Sequence, residues 1–205
     1  MRHALLLGAC LMFAVLVPCA WSAQVVHVNF DTAPDGSAIA NGTVVDMLYW
    51  TDDGVQFSAI RCPACGADPN VYASSNCLNF GPLSPPNVVT LFGITTCSDI
   101  SETNLGLVNA VFASPVDTVC IGVIPVRPTD YGVLHAYDGT NTEIATVYSS
   151  PGVTGYLCAN VTGIMRVSFS GAGIAYAWFD NLSFQVENAT PTRHPSWGQL
   201  KSSYR

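Results

Sequence analysis

Short apolar segments follow one another at near-regular spacing from residue 108 to residue 186, and they restrict the fold more than any other feature of the chain. Turn signals separate them, at Ser114-Pro115, Arg127-Pro128, Asp138-Gly139 and Pro151-Gly152. Segments this short and this rich in Val, Thr and aromatic residues are typical of strands. With no helical run and no βαβ rhythm, the pattern predicts an all-β fold, an antiparallel β-sandwich of jelly-roll type.

We predict strands at residues 24–30, 54–60, 87–95, 105–113, 118–126, 132–137, 143–149, 155–161, 165–170 and 175–186. From Arg61 to Pro86 the periodicity disappears, and Pro, Asn, Ser, Gly and Cys dominate. We therefore expect a long loop there, crosslinked by disulfides, and loops of this length are often functional.

The last predicted strand places a carboxylate on its apolar row. Strict alternation puts Asp180 with Trp178, Leu182 and Phe184 on a core-facing side, and Phe179 on the other. A buried carboxylate is costly unless it is hydrogen-bonded, paired or bound to a metal. Asp180 is therefore a candidate site residue.

The N-terminal segment has the form of a secretory signal peptide. Arg2 and His3 precede an uncharged apolar stretch, which Pro18 and the small residues Ser22 and Ala23 follow. We expect a signal peptide at 1–22, one β-sandwich domain at 23–187, and a linker with a short tail at 188–205. The expected location is secreted, at the cell surface or extracellular, without a transmembrane segment.

The charge balance argues against nucleic acid as a partner. Without Arg2 the chain keeps 6 of its 7 basic residues and all 14 acidic ones, so its formal net charge is 6 − 14 = −8. Phosphate binding needs clustered Lys and Arg, and Lys201 is the only lysine.

Six cysteines remain after the signal peptide, and an even number in an exported chain indicates three disulfides. Fifteen pairings are possible. We expect Cys120 to pair with Cys158, since each lies in a strand-like segment, and the other four to crosslink the loop. The spacing of Cys62 and Cys65 is also that of redox and zinc motifs, but a loop of an all-β chain favours a disulfide. The six are Cys62, Cys65, Cys77, Cys97, Cys120 and Cys158.

Several segments carry a resemblance to a known group of proteins: VNFDTAPDGSAI, GVQFSAI, VFASPVDTVCIGV, GVLHAYDGTNTEIATV, IMRVSFSG and AWFDNLSF. Together they resemble secreted bacterial jelly-roll modules of the kind found in PEP-CTERM proteins. More distantly they resemble galactose-binding-like domains, which include many carbohydrate-binding modules. This resemblance implies a β-sandwich and a glycan as the ligand class.

The resemblance also implies a structural calcium ion that ties the first strand to the last. The matching positions are Asp31 and Asp180, and Asp35 is a further candidate ligand. Calcium takes six to eight oxygen ligands, so nearby carbonyl groups would complete the site. The alternative is that Asp31 begins a turn and Asp180 accepts backbone hydrogen bonds.

Aromatic residues in or near loops are candidate sugar contacts, because a flat ring covers the apolar face of a pyranose. These are Tyr49, Trp50, Tyr72 and Tyr131, with core packing as the alternative for each. The tail at 188–205 is either a tag that docks a partner or a sorting system, or a weakly packed terminus.

We therefore predict a secreted binding module that is not an enzyme, with a carbohydrate or cell-surface glycan as ligand. Catalytic motifs such as G-x-S-x-G are absent, and the adjacent Asp52 and Asp53 point apart on a turn. The alternatives are a structural matrix or adhesion protein without a small ligand, and, less favoured, a glycan-active hydrolase or lyase.

Overall fold

The computed structural model describes residues 24–61, 70–75, 83–91 and 106–186. The expected signal peptide at 1–22, the tail at 188–205, and Cys62, Cys65, Cys77 and Cys97 lie outside the described residues. No helix within these ranges is long and apolar enough to cross a membrane.

The described residues form short strands, two long strands and one helical turn. The elements are β1 (Gln24–Val28), β2 (Thr43–Val44), α1 (Trp50–Asp53), β3 (Val55–Arg61), β4 (Tyr72–Ser74), β5 (Val88–Thr90), β6 (Gly106–Pro125), β7 (Gly132–Tyr137), β8 (Glu143–Tyr148), β9 (Gly155–Gly171) and β10 (Ala177–Val186). All strand pairs are antiparallel. The all-β antiparallel fold class is thus confirmed.

The long strands β6 and β9 belong to two sheets at once. In the first sheet, the first half of β6 pairs with β3 and with the second half of β9, which continues to β7 and β8. In the second sheet, the second half of β6 pairs with β10 and with the first half of β9. On its other edge β10 pairs with β1 and β5, and β5 leads on to β4 and β2.

The turn predicted at Ser114-Pro115 is wrong. The register of β6 against β9 shifts between Val111 and Val116, and again before Thr118, but the strand continues. Bulges of this kind bend a strand, so β6 passes from one sheet to the other without a loop.

Apolar side chains from the two sheets meet in one core. Phe112 of β6 packs on Phe184 of β10 with ring centroids 4.8 Å apart. Phe169 of β9 packs on Phe179 of β10 at 4.9 Å. Burial of each such ring stabilises the fold by about 1.5–3 kcal/mol.

Strict alternation along β10 is also a wrong prediction. The register shifts between Asp180 and Ser183, and Asn181 has a positive φ of 52°. This bulge changes the phase of the strand, so Phe179 lies in the core with Leu182 and Phe184. Trp178 instead packs against Val88 and Ile124 in a separate cluster. Asp180 is therefore on the outer side of its sheet, under the segment 83–91.

A disulfide joins Cys120 to Cys158, as predicted. The two residues are direct partners in the β6–β9 ladder. The crosslink therefore staples two strands of the second sheet.

Candidate functional site

The outward face of the first sheet is polar. Along β7 and β9 the core takes Leu134, Ala136, Val167 and Phe169. The alternate residues face outward, where His135 lies opposite Ser168 and Thr146. The polar row therefore crosses three strands; Ser168 is buried in it, whereas His135 and Thr146 are partly exposed.

Tyrosine rings lie at both ends of this row. Tyr131 precedes β7 and its ring centroid is 6.3 Å from that of Tyr148 on β8. Tyr137 ends β7, and at about 3.3 Å per residue it lies about 20 Å from Tyr131. We name this surface the platform; its members are Tyr131, His135, Tyr137, Thr146, Tyr148 and Arg166.

Arg166 is held flat against the Tyr137 ring. Its Cζ lies 3.7 Å from the ring centroid. Nη1 donates to Oδ1 of Asn109 at 2.8 Å, and Nη2 donates to Oδ1 of Asn141 at 2.6 Å. Because β6, β7 and the β7–β8 turn all hold the guanidinium group, its plane is fixed in advance.

The centre of the platform carries an imidazole oriented by a carboxylate. Nδ1 of His135 lies 3.1 Å from Oε2 of Glu143 and 3.1 Å from Oγ1 of Thr146. The hydrogen bond from Thr146 is the largest cause that lowers the pKa of Glu143, and the charge of His135 adds to it. Glu143 is therefore an anion that accepts from Nδ1–H, and this contact fixes the plane of the imidazole.

The Tyr131 end opens into a cavity of about 420 Å³. Arg127 and Asp130 line it, and the Arg127 Nε donates to the buried Asp130 carboxylate at 2.9 Å. The exposed Ile174 forms the opposite wall. This cavity extends the platform beyond the end of the sheet.

The four aromatics predicted as sugar contacts lie on different elements. Tyr49 is 1% exposed, and its ring packs edge-on against Phe30 and Phe57, so it offers no face for stacking. Trp50 begins α1 and Tyr72 lies on β4, apart from the first sheet. Tyr131 alone of the four belongs to the platform.

Sequence reasoning missed Tyr137, Tyr148 and Arg166 as site residues. The signal was present, since each alternates with apolar neighbours such as Ala136, Val147 and Val167. This alternation was not enough to identify a site, because single aromatic residues on strands are usually core residues. Only the register of the three strands brings the three side chains to one surface.

A second candidate site lies on the other sheet, where carboxylates crowd one hydroxyl group. Oγ of Ser84 is 2.8 Å from Oδ2 of Asp31, 2.9 Å from Oδ1 of Asn181, and 3.3 Å from Oδ2 of Asp180. The carbonyl oxygen of Asn29 is 3.4 Å from the same atom. We name this group the oxygen cluster.

One hydroxyl proton cannot satisfy all these acceptors. The backbone amide of Ser84 donates to Asp180 at 2.7 Å, that of Asn181 donates to the same carboxylate at 2.7 Å, and that of Asn87 donates to Asp31 at 2.7 Å. Even so, burial raises the pKa of Asp180 to about 7, and the nearby charge of Asp31 adds to the rise against the backbone hydrogen bonds. The cluster thus lacks positive charge.

The donor set fits a hard cation. No group of three or more His, Cys, Asp and Glu side chains occurs in the described ranges, so a metal ion here would draw on amide and carbonyl oxygens besides two carboxylates. Such all-oxygen sets suit calcium and not zinc. Oδ1 of the buried Asn87, a neighbour of Asp31, has no hydrogen-bond partner in the described part of the chain.

Of the three predicted calcium ligands, the structure brings together two. Asp31 and Asp180 share Ser84, although they are far apart in the sequence. Asp35 is fully exposed and accepts from the amide of Ser37 at 2.9 Å, and this hydrogen bonding with Ser37 lowers its pKa. It does not contribute an oxygen to the cluster.

No protein-family model matches the chain, and no curated protein matches it. Among solved structures it is similar to a mutant of the carbohydrate-binding module CBM29-2 complexed with cellulohexaose, with 11% identity and a TM-score of 0.39 over 79% of this chain and 92% of that one. It is also similar to the CBM22-1–GH10 modules of Clostridium thermocellum xylanase 10B complexed with xylohexaose, with 12% identity and a TM-score of 0.36 over 79% of this chain and 28% of that one.

A third similar structure is tailspike protein 4 of bacteriophage CBA120, with 10% identity and a TM-score of 0.36 over 72% of this chain and 21% of that one. Likenesses this distant assign no ligand to the chain. The fold class rests on its own strand pairing, and any role rests on the platform and the oxygen cluster.

Proposed function

We propose that the protein is a secreted glycan-binding module whose ligand lies along the platform. The observation that carries this proposal is the order of groups on the outward face: tyrosine rings at both ends and hydrogen-bonding side chains between them. The platform, about 20 Å long, has room for several sugar units in a row.

Each part of the platform matches one part of a sugar. Tyr148 is 60% exposed and offers a ring face for the apolar side of a pyranose. The imidazole of His135 and the hydroxyl of Thr146 can form hydrogen bonds with ring hydroxyl groups. Because Glu143 fixes the imidazole beforehand, little entropy is lost when a ligand binds.

The Cys120–Cys158 disulfide supports an oxidising compartment for the folded domain. Export by the N-terminal segment is part of the same proposal.

A glycan array followed by calorimetry tests the platform. We expect Tyr148→Ala to weaken binding at least tenfold, since stacked rings contribute about 0.5–1.5 kcal/mol beyond the area they bury. The matched control is Tyr156→Ala, because Tyr156 is 56% exposed but lies in the part of β9 that belongs to the second sheet. Equal losses in both variants, or no binding to any glycan, would overturn the proposal and favour a structural role.

We also propose that the oxygen cluster binds a structural calcium ion. When bound, the ion would supply the positive charge that Asp31 and Asp180 lack, and it would tie the segment at Ser84 to β10. Asn29 and Asn181 would add neutral oxygen ligands.

Thermal unfolding with calcium and with a chelator tests this site. A ligand at a hundredfold excess over its Kd stabilises the folded state by about 2.7 kcal/mol. We expect this gain in the wild type and in the control Asp35→Asn, but not in Asp180→Asn. A calcium effect that survives Asp180→Asn would place the ion elsewhere, and no effect in the wild type would leave Asp180 as a hydrogen-bonded strand residue.

A further inference from the structure

Among the described residues, Arg166 is a cation without an ionic partner, in a chain that has 14 acidic and 7 basic residues. The described residues contain three arginines, Arg61, Arg127 and Arg166, and no lysine. Arg127 pairs with Asp130. Arg166 forms no ion pair within the described ranges, and its two hydrogen-bond partners there are neutral amides.

Most of the hydrogen-bonding capacity of Arg166 remains open. A guanidinium group carries five N–H donors in a planar fork. Asn109 and Asn141 accept from one donor each, and no other acceptor for it is found among the described residues. One face of the group covers Tyr137, and Arg166 is half-buried, so part of the side chain reaches the surface.

The nearest carboxylates are committed to other groups. Glu143, which lies opposite Tyr137 in the ladder, binds His135 and Thr146. Asp138 accepts from the amides of Thr140 and Thr142 within its own turn. The negative charges of Glu143 and Asp138 lower the electrostatic potential near Arg166, but neither carboxylate forms an ion pair with it.

We propose that the ligand of the platform is an acidic glycan, and that Arg166 binds the carboxylate of a uronic acid unit. This inference rests on the proposed glycan-binding function and names its substrate class. The fork of Arg166 matches a planar carboxylate in a two-hydrogen-bond geometry, and such charge-assisted pairs are about twice as strong as neutral hydrogen bonds. Tyr137 positions the group, and the neighbouring tyrosines bind the sugar rings.

The experiment compares uronic acid oligosaccharides with neutral oligosaccharides of equal length and linkage, by calorimetry on the oxidised protein. We expect the acidic ligand to bind at least tenfold more tightly at low salt, and the difference to shrink as salt screens the pair. Arg166→Gln should remove this preference, so that acidic and neutral ligands bind the variant with equal affinity. Arg166→Lys should restore it only in part, because an ammonium group lacks the planar fork.

A second set of titrations uses sulfated derivatives of the neutral oligosaccharides, since a sulfate ester also offers negatively charged oxygen acceptors to a guanidinium group. Binding of the sulfated ligand in preference to the uronate would overturn the assignment of a carboxylate. Equal affinity of Arg166→Gln and wild type for the uronate would overturn the role of Arg166.

The failure of this inference can be told apart from failure of the proposed function. If neutral oligosaccharides bind, and Tyr148→Ala weakens them, while the uronate gains nothing, then the platform binds glycans without selecting acidic ones. If neither class binds, both proposals fall.

Discussion

At the scale of single residues, Asp180 is a carboxyl group that lies fully buried. Burial raises its pKa to about 7, from an ordinary value of 3.8. Between these two values the folded state of the metal-free protein binds more protons than the unfolded state. The contribution of Asp180 to the free energy of unfolding is therefore largest below pH 3.8, and it is lost as pH rises through about 7.

We expect Asp180→Asn to remove this slope. Urea unfolding in chelator at about pH 5 and about pH 8 measures it, with the difference between wild type and variant as the readout. The proposed calcium ion would oppose this slope, because it would compete with the proton for Asp180 and stabilise the folded state more as pH rises. An unchanged slope in the variant would assign the pH dependence to another group.

The sequence predicted the two acidic members of the oxygen cluster but not the other members. Asp31 follows a clear strand pattern and Asp180 lies in one, and the resemblance to carbohydrate-binding modules linked the two positions. Ser84 lies in a stretch without periodicity, so no pattern could place its hydroxyl between them. Asn181 was assigned to the opposite face, because an alternating pattern contains no sign of a bulge.

At the scale of elements, Leu83 and Ser84 lie against the face of the second sheet because the sheet leaves room for them. Gly122 of β6 is the ladder partner of Asp180, and a Cβ at Gly122 would contact Leu83 and would lie 2.6 Å from the Asp180 carbonyl oxygen. The glycine therefore lets Leu83 approach the sheet and brings the neighbouring Ser84 to the carboxylates.

We expect Gly122→Ala to destabilise the fold by about 1–3 kcal/mol, a typical cost of overpacking, and to weaken any calcium effect. Gly155→Ala is the matched control, since Gly155 lies in the adjacent strand and a Cβ there meets nothing within 4 Å. Chemical unfolding and calcium titration measure the two effects. A loss of stability without a change in calcium response would show that the segment does not position Ser84.

The existence and the order of most strands could be predicted from the sequence. That β6 and β9 each run on as one long strand could not. The segments from β7 to β10 lie close to their predicted positions. The long strands β6 and β9 were each predicted as two segments, and in β6 the dipeptide Ser114-Pro115 favours a turn locally. Pairing with neighbours on both sides overrides that preference, and the chain bends where a turn was expected.

At the scale of the whole molecule, the two candidate sites lie on different sheets. The disulfide crosslinks strands of the second sheet, not of the first. Cys120 and Cys158 are 38 residues apart in the sequence and join the halves of β6 and β9 in the second sheet. The platform lies beyond the bend, in the first sheet. Stability and glycan binding should therefore respond differently when the crosslink is removed.

The double variant Cys120→Ser, Cys158→Ser tests this separation. Loss of a loop-closing disulfide costs about 2–4 kcal/mol, mainly because the unfolded chain gains freedom. In a domain of this size that corresponds to a fall in Tm of roughly 5–15 °C. Because the folded platform keeps its partners, its glycan affinity below Tm should stay within about twofold of wild type, as measured by calorimetry. A parallel loss of affinity would show instead that the two sheets act as one unit, with the register of β9 set in the second sheet and transmitted to Arg166 in the first.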